Sequence, residues 1–120
     1  MYIYGYADMV TPEQFFRALS DTTRLNSLLL LEQEGRLCVC ELVAALELSQ
    51  PRISRHLSQL RDQGIVQDER RGQWVHYRLA TDLPDWARQV LRSALEARDL
   101  GELSARLSCM TQRPSLETAQ

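Results

Sequence analysis

Residues 49–63 restrict the fold more than any other stretch of this 120-residue chain. Ser49-Gln50-Pro51 reads as a helix start, with Ser49 as N-cap and Pro51 in the first turn, where no amide proton is required. Ile53, Leu57 and Leu60 then recur at the i, i+4, i+7 spacing of one buried stripe. The outward positions, Gln50, Arg52, Ser54, Arg55, Ser58 and Gln59, are all polar or cationic. Gly64 is a good C′ residue and stops the helix. A hairpin follows at once: Ile65-Val66-Gln67-Asp68, a turn at Glu69-Arg70-Arg71-Gly72, and Gln73-Trp74-Val75-His76-Tyr77-Arg78-Leu79 with alternating faces.

Upstream, Thr11-Pro12-Glu13-Gln14 carries the signature of a capped helix start, and Phe15, Phe16 and Leu19 give that short helix an apolar side. Asp21 caps a second helix, whose Leu25, Leu28, Leu29 and Leu30 face inward up to a stop at Gly35. A third, short helix spans about Cys38 to Leu46, with Leu42 and Leu46 inward, and Leu48-Ser49-Gln50 is the turn into the fourth. Asp82-Leu83-Pro84-Asp85 opens one long last helix with an apolar stripe of Trp86, Val90, Leu91, Ala94 and Leu95. The order α-α-α-α-β-β-α, mainly helical with one small hairpin, is that of a winged helix-turn-helix. The terminal helices hold more apolar surface than so small a core needs, which predicts a homodimer joined through them. The expected organisation is an N-terminal arm over 1–10, with Tyr2, Tyr4 and Tyr6 in it, a DNA-binding and dimerisation domain over 11–108, and a mobile tail over 109–120.

The net charge of −2 looks wrong for a nucleic-acid binder until it is divided along the chain. Residues 1–49 carry three Arg against seven acids, residues 50–80 six Arg against three, and residues 81–120 five Arg against six. Positive charge is therefore concentrated on the fourth helix and the hairpin, where phosphate contact needs it. No apolar run reaches membrane-spanning length, and the first residues lack the pattern of a signal peptide, so a cytoplasmic protein is expected. Three cysteines, two of them one residue apart, do not make a disulfide framework.

Five segments in order carry a family resemblance: Ala18-Leu19-Ser20-Asp21-Thr22-Thr23-Arg24-Leu25, Leu37-Cys38-Val39-Cys40-Glu41-Leu42, Ser49-Gln50-Pro51-Arg52-Ile53-Ser54-Arg55-His56-Leu57, Gly64-Ile65-Val66 and Gly72-Gln73-Trp74-Val75-His76-Tyr77-Arg78-Leu79. From about Thr11 to Ser108 the chain resembles the ArsR/SmtB metalloregulatory repressors, specifically the arsenical-resistance type. The resemblance implies a homodimer that sits on double-stranded operator DNA and leaves when As(III) or Sb(III) binds cysteine thiolates, with no catalytic cofactor. In such repressors the cysteine motif usually continues to a third Cys, three residues after the second; here that position is Val43.

Cys38 and Cys40 are the expected ligands, since soft thiolates suit As(III) and Sb(III) better than hard cations do. Residues two apart on a regular helix point about 200° apart. Either Cys38 lies outside the first turn, then, or ligand binding unwinds it. A third donor is open: Cys109, of this or of the other subunit, or glutathione, hydroxide or another small donor. A zinc sensor of this fold would need His and carboxylate ligands on the last helix, and the two histidines lie elsewhere. His56, on the inner flank of the fourth helix, reads as a structural hydrogen-bonding group; His76, in a wing strand, is expected to pack or to touch a phosphate.

For DNA, the N-terminal half of the fourth helix would read base edges in the major groove. Gln50, Arg52 and Arg55 are assigned to bases and Ser54 to base or phosphate, with Ser58 and Gln59 on the same face. Arg70, Arg71 and Gln73 at the wing tip would meet backbone or minor groove, whereas Trp74 and Tyr77 pack in the wing. A thiol redox sensor on the same winged helix is the alternative, opposed by the strain of a disulfide spanning one residue. An enzyme such as a thiol-dependent reductase is excluded, because the five glycines are scattered and form no anion cradle.

Overall fold

A computed structural model describes residues 10–117 of the chain, so Tyr2, Tyr4 and Tyr6 lie outside the described residues. Helix α1 (Pro12–Leu19) starts with a complete capping box: the Thr11 hydroxyl accepts from the Gln14 amide, and Gln14 Oε1 accepts from the Thr11 amide, each at 3.1 Å. Helix α2 (Thr22–Glu34) is capped by Asp21, which accepts from the Arg24 amide at 3.0 Å, and ends at Gly35 with φ 87°. Four successive leucines, Leu28 to Leu31, are buried in it. The reason is topological: α2 is the central helix, touched by α1, the two helices of the helix-turn-helix, the wing and the helix after the wing.

Strand β1 (Leu37–Cys38) comes next, and neither its length nor its composition announces it. It exists because β3 offers it an edge: Leu37 pairs with Tyr77 and Cys38 with His76, antiparallel. Helices α3 (Val39–Leu46) and α4 (Gln50–Asp62) form the helix-turn-helix, with Ser49 capping α4 through the Arg52 amide. The turn between them passes through Glu47, a non-glycine residue in the left-handed region at φ 56°. Ile53, Leu57 and Leu60 have no solvent exposure, as their spacing predicts.

The wing is formed by β2 (Val66–Arg71) and β3 (Trp74–Leu79), paired from Val66↔Leu79 to Arg71↔Trp74. Its turn is two residues, Gly72 and Gln73, tighter than the four-residue turn expected over 69–72; Gly72 at φ 62° supplies the positive φ that such a turn needs. With β1 added, the sheet has three strands in the order β1-β3-β2.

The single last helix expected after Pro84 is two helices, α5 (Asp85–Ala97) and α6 (Gly101–Ser108). Arg98 is extended at φ −111°, ψ 126° and donates to Asn26 Oδ1 at 2.7 Å, while Asp99 Oδ1 captures the Gly101 amide at 2.8 Å. An aspartate bonding to backbone two residues on competes with the helical ladder, and Gly101 has little helical preference to resist it. Beyond residue 108 the described chain adds one more element. Residues 114–117 form a short turn of helix, α7, with Pro114 buried and the Ser115 amide and hydroxyl donating to Glu41 at the start of α3. That polar partner, absent from any local sequence pattern, is the reason.

Candidate thiol site and nucleic-acid interface

Cys38 is the N-cap of α3, extended at φ −76°, ψ 154°, and Cys40 lies in the first turn. This answers the geometric conflict raised by the Cys-x-Cys spacing: Cys38 stands outside the helix, so no unwinding is needed to bring the sulfurs together. The Cys40 thiol donates to Cys38 Sγ at 3.2 Å. Cys38 is 2% exposed and Cys40 half-buried. Burial, the bond to Cys38, and the charges of Cys38 and Glu41 push the Cys40 thiol up to about 12. The two sulfurs are thus close and shielded, and burial disfavours the charged form of Cys40.

Glu41 fixes this arrangement. It is the third residue of α3 and fully buried, and its Oε1 accepts from the Cys38 amide at 2.7 Å. Its Oε2 accepts from Arg113 Nε and from the Ser115 hydroxyl, each at 2.7 Å. Sequence reading missed all three residues as a unit. One signal was present, since Cys38-x-x-Glu41 is a capping-box spacing with cysteine in place of Ser or Thr.

Cys109 is exposed at the C-terminal end of α6. Among the described residues, no three His, Cys, Asp or Glu side chains come together to hold an ion. His76 stands directly opposite Cys38 in the β1–β3 pairing and is 1% exposed. Opposed residues of an antiparallel pair share a face, so its imidazole flanks the thiol site, and the alternative of a phosphate contact is removed by burial. That burial, with the Arg36 charge, holds its pKa below the usual histidine value. His56 makes the structural contact expected of it, 3.4 Å from Arg24 Nη1.

The outward face of α4 presents Gln50, Arg52, Arg55 and Gln59 as exposed side chains, with Ser54 and Ser58 half-buried beside them. Gln50 Nε2 donates to Ser54 Oγ at 2.9 Å, which orients both at the start of the helix. Arg70 and Gln73 are exposed near the wing turn; Arg71, half-buried, pairs with Glu69 at 3.3 Å. Tyr77 is 5% exposed and Trp74 half-buried, so both pack in the wing. Arg61 joins the end of α4 to Asp68 of β2 at 3.2 Å, fixing α4 against the wing.

The profile of the family described as "Bacterial regulatory protein, arsR family" matches residues 21–68, from the cap of α2 into β2. The arsenic resistance transcriptional regulator ArsR1 of Pseudomonas putida is 47% identical over 114 residues, covering 93% of this chain and 89% of that protein. The chain belongs to the ArsR family. The arsenical resistance operon repressor of Escherichia coli is 51% identical over 83 residues, covering 69% of this chain and 71% of the relative. Among solved structures, HlyU from Vibrio cholerae superimposes with a TM-score of 0.62 at 30% identity, over 68% of this chain and 85% of that one. The AntR antimony-specific transcriptional repressor gives a TM-score of 0.60 at 26% identity, over 81% and 93%. This ArsR-family chain is therefore a DNA-binding transcriptional regulator with a winged helix-turn-helix, and not an enzyme. None of its helices is long and apolar enough to cross a membrane among the described residues.

Proposed function

We propose that this ArsR-family protein is a cytoplasmic, homodimeric repressor of an arsenic-resistance operon, released from its operator when As(III) or Sb(III) binds Cys38 and Cys40. The observation that carries the reading is the 3.2 Å separation of two shielded thiols at the entry to the helix-turn-helix. Arsenous acid condenses with thiols: As(OH)₃ and two R–SH give (R–S)₂As–OH and two waters, with no net charge left behind. A divalent cation would instead have to expel two protons from a buried site. Cys109, hydroxide or glutathione supplies the third donor.

The switch follows from where the two sulfurs sit. Cys38 belongs to β1, which pairs with wing strand β3, whereas Cys40 belongs to α3, which packs on α4. An ion bridging them ties wing to helix-turn-helix by covalent bonds and restricts the angle that α4 and the wing tip present to DNA. Gln50, Arg52, Ser54, Arg55, Ser58 and Gln59 serve the major groove; Arg70, Arg71 and Gln73 serve the flanking backbone or minor groove. The inducer acts only as far as it prefers the released geometry, and the operator must weaken inducer binding by the same factor.

Phe16, 53% exposed, and Trp86, 37% exposed, support dimerisation through the terminal helices. Their rings lie 6.5 Å apart, on a surface that continues over Val90. Redox sensing by the same pair is the weaker reading, because a disulfide spanning one residue is strained. The test is fluorescence anisotropy of a labelled duplex from upstream of this gene, with arsenite titrated into the complex. Release near stoichiometric arsenite supports the reading; tight binding indifferent to arsenite rejects the inducer and keeps the winged helix.

A further inference from the structure

Glu41 is a carboxylate with no solvent exposure, and such a charge persists only when paired and hydrogen-bonded. Its partners come from two places in the chain. From its own helix start comes the Cys38 amide, at 2.7 Å from Oε1. From the C-terminal segment come the Ser115 amide, at 3.2 Å from the same Oε1, and Arg113 Nε and the Ser115 hydroxyl, each 2.7 Å from Oε2. The segment is itself tied down, since Arg113 Nη2 donates to Glu34 at 3.3 Å and Arg36 Nη2 donates to the Ser115 carbonyl at 3.1 Å.

One oxygen therefore serves both the Cys38 amide and the Ser115 amide, and the other is held wholly by the C-terminal segment. The carboxylate is aimed from residues 113–115, and where it is aimed decides whether Cys38 stays extended. If Cys38 entered the helix, the thiols would diverge to about 200° around its axis. We propose that Arg113 and Ser115 are positioning residues for the thiol pair: by fixing the Glu41 carboxylate they hold Cys38 outside α3 and preset both sulfurs for one trivalent ion. This deepens the inducer reading above and rests on it. It also assigns residues 113–115 a part in sensing that lies far along the chain from the cysteines.

The test uses the full chain as wild type, Ser115→Ala, Arg113→Gln, the double variant, and Ser115→Thr, which keeps the hydroxyl. The probe is phenylarsine oxide, which condenses with two thiols to C₆H₅As(SR)₂ and one water, so that no third donor enters. Binding is read by As–S absorbance and mass, and operator affinity without arsenical by anisotropy. The expected result is about a tenfold weaker capture in Ser115→Ala and Arg113→Gln, the scale of one charge-assisted hydrogen bond. Ser115→Thr should restore it, with operator affinity unchanged throughout. Equal capture in all variants overturns the proposal, as does tighter capture in the double variant, which would make the segment a lid. A parallel loss of operator affinity also overturns it, because the role would then be merely structural. If the wild-type operator complex ignores arsenite while the variants still lose capture, the inducer reading fails and the positioning role stands.

Discussion

Arg24 Nη1 lies 3.4 Å from His56 Nδ1, so a cation from α2 faces the imidazole of α4. A neutral ring accepts this bond; a protonated one cannot. Burial first, then the charges of Arg24, Arg52 and Arg55, hold His56 below its ordinary value of 6.5, with Asp21 opposing them. The sign follows from linkage. Below pH 6.5 the unfolded chain binds more protons than the folded one, so stability falls as the pH drops, until the folded-state value is passed. Urea unfolding across this range should show a shallower acid-side loss in His56→Asn than in the wild type. Parallel slopes would remove His56 from the account.

Replacing Cys40 by Ser keeps the volume of the site and removes one of the two proposed soft ligands. Operator affinity should stay within about twofold, since surface and near-isosteric changes away from packing faults are worth only about 0.5 kcal/mol. Arsenite should no longer release the DNA in the anisotropy experiment. Release that survives in this variant would move the sensor away from Cys38 and Cys40.

The exposed arginines of α4 and the wing should fail differently. Arg55→Ala should cost about 1–3 kcal/mol of operator binding and relax base preference at one position. Arg70→Ala should weaken all sequences alike and lower the slope of log affinity against log salt by about one. Binding to a panel of single-base operator variants at three salt concentrations separates the two. Identical behaviour would mean that one of the assignments is wrong.

Phe16 and Trp86 give the dimer its test. Phe15, fully buried, stacks edge-on against Trp86 at 5.3 Å, so this indole is anchored in the core while part of it reaches solvent. Phe16→Glu places a charge at the centre of the proposed interface without touching that anchor. Sedimentation should show a monomer with an unchanged helical circular dichroism spectrum, and operator affinity should drop by at least tenfold as the second half-site is lost. A dimer that persists would place the interface elsewhere.

Much of the fold was legible in the sequence because its signals are local. Thr11, Asp21 and Ser49 cap the helices that their positions announce, and Ile53, Leu57 and Leu60 are buried at their expected spacing. What failed was non-local or competitive. Strand β1 forms only because β3 reaches back to Leu37 and Cys38. The break between α5 and α6 lay in plain view at Asp99 and Gly101, but the apolar stripe from Trp86 to Leu95 drew attention away from it. In the thiol site, the pair was readable and the choice between its two arrangements was not, since that depended on Glu41. Arg113 and Ser115 look like ordinary tail residues until the buried carboxylate gives them a purpose.

The pairing of Leu37 with Tyr77 and Cys38 with His76 has a consequence for anyone who would build with this molecule. A thiol loop transplanted as residues 37–46 into another winged helix would arrive without the strand that keeps its first cysteine straight. The geometry of the thiol pair is not portable as a stretch of sequence. The smallest unit that could be moved is a patch of sheet, half of it contributed by the wing.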